Sequence, residues 1–248
     1  MRLVALLSVL ALVLLIVGCG EDEPTGPGTV AAPTNLTIEV AGSDSLSVRL
    51  SWSASSGTVD GYIISFAGNV IDTTTDLFYQ DTPTALGTYS VKAYQGTSSS
   101  SAVEISTALH EEAGEGPVYY LPSSNPSGYG WDNVGNGTVY SAVNANRDLI
   151  DFVVDIFDDL RSPSDTFGSL WHTTGIAHDV AWTYSGMTVA PLSGYLTAQT
   201  PMTGGVYVLW LSAVNRYVKL EITEYNSGSH YITFRFGFQA IAGFRRLG

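Results

Sequence analysis

Three histidines in the second half of the chain, His172, His178 and His230, are the side chains best suited to ligating a metal or cofactor near neutral pH. His172 and His178 are the candidate cofactor ligands. If the segment between them is one extended strand, six steps separate the two rings by about 20 Å, too far to share an ion. A turn through Thr173-Thr174-Gly175-Ile176 would instead set them opposite each other. Side by side they could chelate a small ion, whereas clasping a flat cofactor needs ligands on facing walls. His230, beside Asn226-Ser227-Gly228, reads as a solvated loop-end residue, and His110 as a solvated residue of a charged stretch. Asp151, Asp155, Asp158 and Asp159 supply carboxylates, but calcium sites place their oxygens in a short turning loop with a Gly, and that spacing is missing. These aspartates read as an exposed face, and no metal site is assigned.

Catalytic motifs are missing as well. The chain has no Gly-x-Ser-x-Gly elbow, no His-Glu-x-x-His pair and no phosphate-cradling glycine loop. Paired acids suitable for glycoside hydrolysis exist, but the sequence does not define their separation. The reading is therefore non-catalytic. Tyr119, Tyr120, Tyr129, Trp131, Trp171, Trp182, Tyr184 and Tyr195 cluster in Gly/Ser/Pro-rich portions. Such rings either stack on sugars or a protein partner, or cap a β core beneath long loops.

Composition narrows the classes further. Only 13% of the 248 residues are charged, against about 25% in ordinary domains, while Gly (26) and Tyr (14) are plentiful. That argues against a disordered acidic chain and against a helical bundle. Of 10 basic side chains, Arg2 leaves with an N-terminal leader, so 9 face 23 acids. Nucleic acid is excluded as a partner, because phosphate binding needs a basic stripe.

The leader is Met1-Arg2 followed by an uncharged, Leu/Val-rich stretch from Leu3 to Val17, too short to span a bilayer comfortably. It ends in Ile16-Val17-Gly18-Cys19, which resembles the lipobox of bacterial lipoproteins. The resemblance implies a signal peptide over residues 1–18 and lipidation of Cys19, the only cysteine in the chain. More than one acyl chain on that terminus gives stable anchoring. Gly20, in place of the Asp that retains enteric lipoproteins at the inner membrane, implies an outer-membrane address. Residues 19–32 carry acids, Pro and Gly without an apolar period and read as a flexible tether.

The elements that must position any site are strands. Period-two alternation runs through Leu36-Ile38-Val40, Leu46-Val48-Leu50-Trp52, Tyr62-Ile64-Phe66, Tyr89-Val91-Ala93 and Val103-Ile105. Pro33-Thr34-Asn35-Leu36, the strand ending in Trp52, the Gly61-Tyr62 start and Leu86-Gly87-Thr88-Tyr89 resemble a fibronectin type III domain over residues 33–108. The resemblance implies a two-sheet sandwich with Trp52 at its centre and Tyr89 at a strand corner. Residues 109–117, charged and Gly-rich, read as a linker. The rest, 118–248, reads as a second antiparallel β-rich domain, so the chain is expected to be all-β.

In that domain a strand is expected over Leu149–Phe157, a doubly buried strand over Val206–Leu211, and a hairpin closed by Asn226-Ser227-Gly228. The hairpin reading sets Ile222 opposite Ile232, Leu220 opposite Phe234 and Lys219 opposite Arg235, with Gly228 left-handed. The order of an Ile-Asp-Phe strand, His/Trp-rich loops and final Tyr-Val-Lys-Leu-Glu-Ile and Ile-Thr-Phe-Arg-Phe strands resembles the HmuY-like bacterial lipoproteins. That resemblance implies a surface protein that captures haem through paired histidines. Taken together the expectation is a lipid-anchored cell-envelope binding protein with haem as a ligand. The alternatives are a glycan or protein adhesion module, or a structural lipoprotein without a small ligand.

Overall fold

A computed structural model describes residues 29–248. The signal segment 1–18, Cys19 and the tether up to residue 28 lie outside the described residues. Among the described residues no helix is long and apolar enough to cross a membrane.

The described residues are nearly all β, in four antiparallel sheets. The first eight strands are β1 (Thr34–Ala41), β2 (Ser47–Ser53), β3 (Gly61–Phe66), β4 (Asn69–Thr74), β5 (Phe78–Asp81), β6 (Thr88–Gln95), β7 (Ser98–Ser99) and β8 (Val103–Ser106). One sheet runs β1-β2-β5 and the facing sheet runs β4-β3-β6-β7, with β8 also on β6. This is a fibronectin type III-like sandwich. The alternating residues Val48, Leu50, Trp52, Tyr62, Ile64, Tyr89, Val91 and Ala93 form its core because each strand turns one face inward. Trp52 packs edge-on to Tyr62 at 5.4 Å between ring centroids. The Tyr89 hydroxyl donates to Asp81 at 2.6 Å.

The second sandwich uses β9 (His110–Tyr119), β10 (Gly128–Trp131), β11 (Gly137–Tyr140), β12 (Phe152–Val154), β13 (Leu160–Arg161), β14 (Thr174–His178), β15 (Ala198–Gln199), β16 (Val206–Leu211), β17 (Arg216–Asn226) and β18 (Tyr231–Phe238), with a 3-10 turn at Asn144–Asn146 and one short α-helix, α1 (Pro163–Phe167). Its sheets run β11-β10-β12-β13-β15 and β14-β16-β17-β18-β9. Between them Tyr129, Phe152, Leu209, Leu220, Phe234 and Phe236 are buried, each aromatic or aliphatic side chain contributing about 1.5–3 kcal/mol by leaving water. β16 is buried on both faces except at Trp210.

Residues 109–117 are not a linker. Most of them belong to β9, an edge strand on β18 whose ladder shifts register twice, around Glu115 and Ala113. Gly114 and Gly116 take φ of +80° and +99° next to these irregularities, and bulges with charged side chains are how sheets blunt an edge. The acids have partners: Glu112 with His110 at 2.7 Å, and Glu115 accepting from the Tyr129 hydroxyl at 2.7 Å.

Two further expectations shift. The strand expected over 149–157 shrinks to β12, because Asp155 turns the chain by accepting from the amides of Phe157 and Asp159; Ile156 and Phe157 end up exposed. In the β17–β18 hairpin the register moves by two, pairing Leu220 with Phe236 and Ile222 with Phe234. Glu221 then stands directly opposite Arg235 and bonds to it, replacing the repulsive Lys219–Arg235 pair. The turn is tied by Asn226, whose side chain accepts from the amides of Gly228 and Ser229, and the left-handed residue is His230 (φ +54°), not Gly228.

After β18 the chain returns to the first sandwich. Phe244 is fully buried in that core, with Ile241 packed beside it. Arg245 donates to the carbonyl of Asp44 at 2.8 Å, and Arg246 to that of Thr84 at 2.7 Å. The last residues of the second domain thus complete the first.

Candidate functional site

One end of the second sandwich gathers the end of β10, the residues before β12 and β14, and the β16–β17 turn. A pocket of about 390 Å³ opens there, bordered by Trp131, Asn133, Asp148, Asp151, His172 and Arg216, with Asp132, Ala213 and Val214 completing its lining.

Asp151 is its fixed point. The residue is 5% exposed, and its main chain is held twice: its amide donates to Tyr129 at 2.8 Å, and its carbonyl accepts from the buried Thr174 hydroxyl at 2.5 Å. Its carboxylate accepts from the Trp131 amide at 2.9 Å and from His172 Nδ1 at 3.0 Å. His172 is anchored in turn, since its carbonyl accepts from Ser164 at 3.0 Å and the next carbonyl accepts from the Ser212 hydroxyl at 2.7 Å. The aspartate therefore fixes both tautomer and ring orientation, leaving Nε2 as the working atom.

Arg216 forms the opposite wall. Its Nε donates to the Ala240 carbonyl at 3.0 Å and one terminal nitrogen to Asn133 at 2.7 Å. Asp148 is largely exposed. Asp132 is committed to its own loop, accepting from the amides of Val134, Gly135 and Asn136 and from the Asn136 side chain, which holds its carboxyl below the usual range. The buried indole N–H of Trp131 has no acceptor. Carboxylates, an amide, a guanidinium, an imidazole and an indole thus border one small space, a set that binds polar groups through paired hydrogen bonds.

The hydrogen bond to Asp151 holds the His172 pKa above its ordinary 6.5, against the opposing effect of burial. A histidine whose folded pKa is raised adds stability that is fully present below the unfolded-state value and is lost as pH rises through the folded one. The urea midpoint should therefore fall from about pH 6.5 upward until that raised value is passed, and Asp151→Asn should flatten this part of the profile. An unchanged profile in the variant would show that the pair contributes nothing.

His178 sits elsewhere. It ends β14 opposite Tyr207, while the His172 end of that strand pairs with Leu211. Its Nδ1 binds the Val206 carbonyl at 2.8 Å and its ring stacks on Tyr207 at 4.4 Å. The two candidate ligands lie at opposite ends of an extended strand. Thr174 and Ile176 are buried and paired with β16, so the turn that would have joined them does not form.

His230 is not a free loop residue either. It pairs with Asp158 at 2.8 Å across 72 positions and stacks on Tyr120 at 4.5 Å. Asp155 is also paired, with Arg161, so the aspartates read as an exposed face include two buried ones, Asp151 and Asp155. Among the described residues no group of three or more His, Cys, Asp or Glu is placed to hold a metal ion. The eight aromatic residues do not form an exposed row: Tyr129 and Trp171 are buried, and the others are half-buried.

Asp151 reads in the sequence as part of an exposed face because its partner is 21 positions away, and Arg216 and Asn133 go unmarked because nothing near them signals a site. No protein-family profile matches the chain, and no curated protein matches it. Thirteen chains of solved structures are similar to it. One, described as "Structure of FN3tt mut", is 24% identical, covers 32% of this chain and 94% of its own, and has a TM-score of 0.29.

Proposed function

We propose that this chain is a lipid-anchored, non-catalytic binding protein of a bacterial outer membrane, held through Cys19, and that its second domain binds a carbohydrate. The carrying observation is the pocket around Asp151: a buried carboxylate fixed by main-chain bonds, beside an imidazole, an indole, an amide and a guanidinium. Such groups read adjacent hydroxyls, which donate to carboxylates and accept from Arg. The fibronectin type III-like domain serves as the spacer that carries this pocket away from the membrane.

Haem is the ligand expected from the sequence, with a glycan as the alternative. It calls for paired histidines on facing walls, and His172 and His178 are far apart and differently engaged. A charged, polar-bordered pocket also suits a porphyrin poorly.

The test is a titration of the purified full chain with a panel of mono- and oligosaccharides, with haemin alongside. At least one saccharide should bind saturably, and Asp151→Asn and His172→Ala should each weaken it by about tenfold, near 1.4 kcal/mol. Panel-wide absence of binding, or parental affinity in both variants, contradicts the carbohydrate reading. A sharpened Soret band lost in both His172→Ala and His178→Ala would restore haem.

A further inference from the structure

The second cleft of interest lies between the two domains. About 330 Å³ in volume, it is lined by Ala85, Leu86 and Ala108 of the first domain and by Leu109, Glu111, Lys219, Leu247 and Gly248, which lie with the second. Apart from Glu111 and Lys219 its side chains are apolar. The Lys219 side chain is 7% exposed, on the central strand β17.

This ammonium is poorly served. It has three N–H donors, yet its contacts are the Tyr184 carbonyl at 3.5 Å, Glu111 at 3.8 Å and the Tyr184 ring at 4.4 Å. Glu111 is itself 56% exposed and already accepts from the Tyr184 hydroxyl at 3.2 Å. Arg235 lies 4.2 Å above the same ring and adds a second positive charge. Burial pushes the Lys219 pKa down, partly offset by Glu111, as expected for a cation short of hydrogen-bond acceptors. A buried charge of this kind is stabilised by an anion that brings its own acceptors, and apolar walls favour a hydrocarbon tail on that anion.

We propose that the interdomain cleft is a binding site for a small apolar carboxylate, its headgroup on Lys219 and its tail against Leu86 and Leu109. The site is independent of the Asp151 pocket, and neither proposal depends on the other. Because the cleft draws its walls from both domains, ligand binding also stabilises their contact.

The probes are hexanoate and hexanamide, which share size and shape and differ in charge. Their affinities for the purified full chain are measured by saturation-transfer NMR. Hexanoate should bind about tenfold or more tightly than hexanamide, the difference expected for a charge-assisted hydrogen bond. Lys219→Met should abolish that preference. Ala108→Phe, an exposed lining position that leaves Lys219 in place, should exclude both probes, and it keeps the test decisive if Lys219→Met does not fold. Equal binding of the two probes, no binding of hexanoate, or parental hexanoate affinity in Ala108→Phe overturns the proposal.

Discussion

Phe244→Ala is expected to lower the unfolding free energy by about 3–5 kcal/mol, the range for emptying a fully buried Phe site, and to destabilise both domains together. Phe244 belongs by sequence to the second domain, yet it is buried in the core formed by Val48, Leu50, Trp52 and Tyr89. The backbone around it is committed as well. The Arg245 amide donates to Ser45 at 3.0 Å, the Arg245 guanidinium donates to Asp44 and Ala190, and Arg246 reaches Thr84. Withdrawal of the segment would take from Arg245 its bond to Asp44 and from Arg246 its bond to Thr84, while the Arg245 bond to Ala190, within the second domain, stays; a hydrogen bond to a charged group is worth about 1.5–3 kcal/mol. Hydrogen exchange at the amides of β2 and β17 separates the two domains. Protection should fall at both in the variant. A loss below about 1 kcal/mol, or one confined to one domain, would show that the C-terminal segment only rests on the first sandwich.

Gly130→Ala should cost about 3 kcal/mol or more, beyond the usual range for overpacking. A Cβ at this position of β10 would fall 1.8 Å from the Leu149 carbonyl oxygen and 2.9 Å from its carbon. No side-chain rotation relieves a clash with main chain. The segment from Leu149 to Asp151 would have to move away from β10, breaking the Asp151 amide bond to Tyr129 and the Trp131 amide bond to the Asp151 carboxylate. The glycine is therefore what lets the pocket's buried acid sit against the end of β10. Denaturant midpoints measure the cost, and saccharide affinity measured under folding conditions should fall with it. A variant of parental stability would mean that this chain segment is loose.

What the sequence disclosed was periodicity. Alternation at Val48-Leu50-Trp52, at Val218-Leu220-Ile222 and at Phe234-Phe236-Phe238 marks strands and their inward faces, because a pleated strand repeats every two residues whatever it packs against. Register is less legible. The β17–β18 pairing could slip by two without changing a single inward residue, and hydrophobicity cannot tell those alternatives apart. Charge could have: one register sets Lys219 against Arg235, the other sets Glu221 against Arg235, and the latter forms.

Composition misled at residues 109–117. Acids and glycines mark both solvated connections and bulged edge strands, and here the unpaired edge of β18 decides between them. For the site, His172 was identifiable as a chemically competent residue. Its function was not, because its orientation depends on Asp151, delivered by a different sheet. The run from Asp151 to Asp159 looked uniform in sequence, yet two of its four acids are buried and paired with His172 and Arg161. The return of Phe244 left no local sign, since a lone Phe near Gly243 could equally follow the last strand into solvent.

The most direct measurement of the binding account is the imidazole NMR of His172 in the full chain, labelled at histidine nitrogen and followed through the saccharide titration. The account predicts a Nδ1 resonance held by Asp151 and a saturable shift at His172 Nε2, while His178 and His230, engaged elsewhere, stay in place. A saccharide that binds without moving His172, or a panel that leaves all the histidine resonances unchanged, would contradict it.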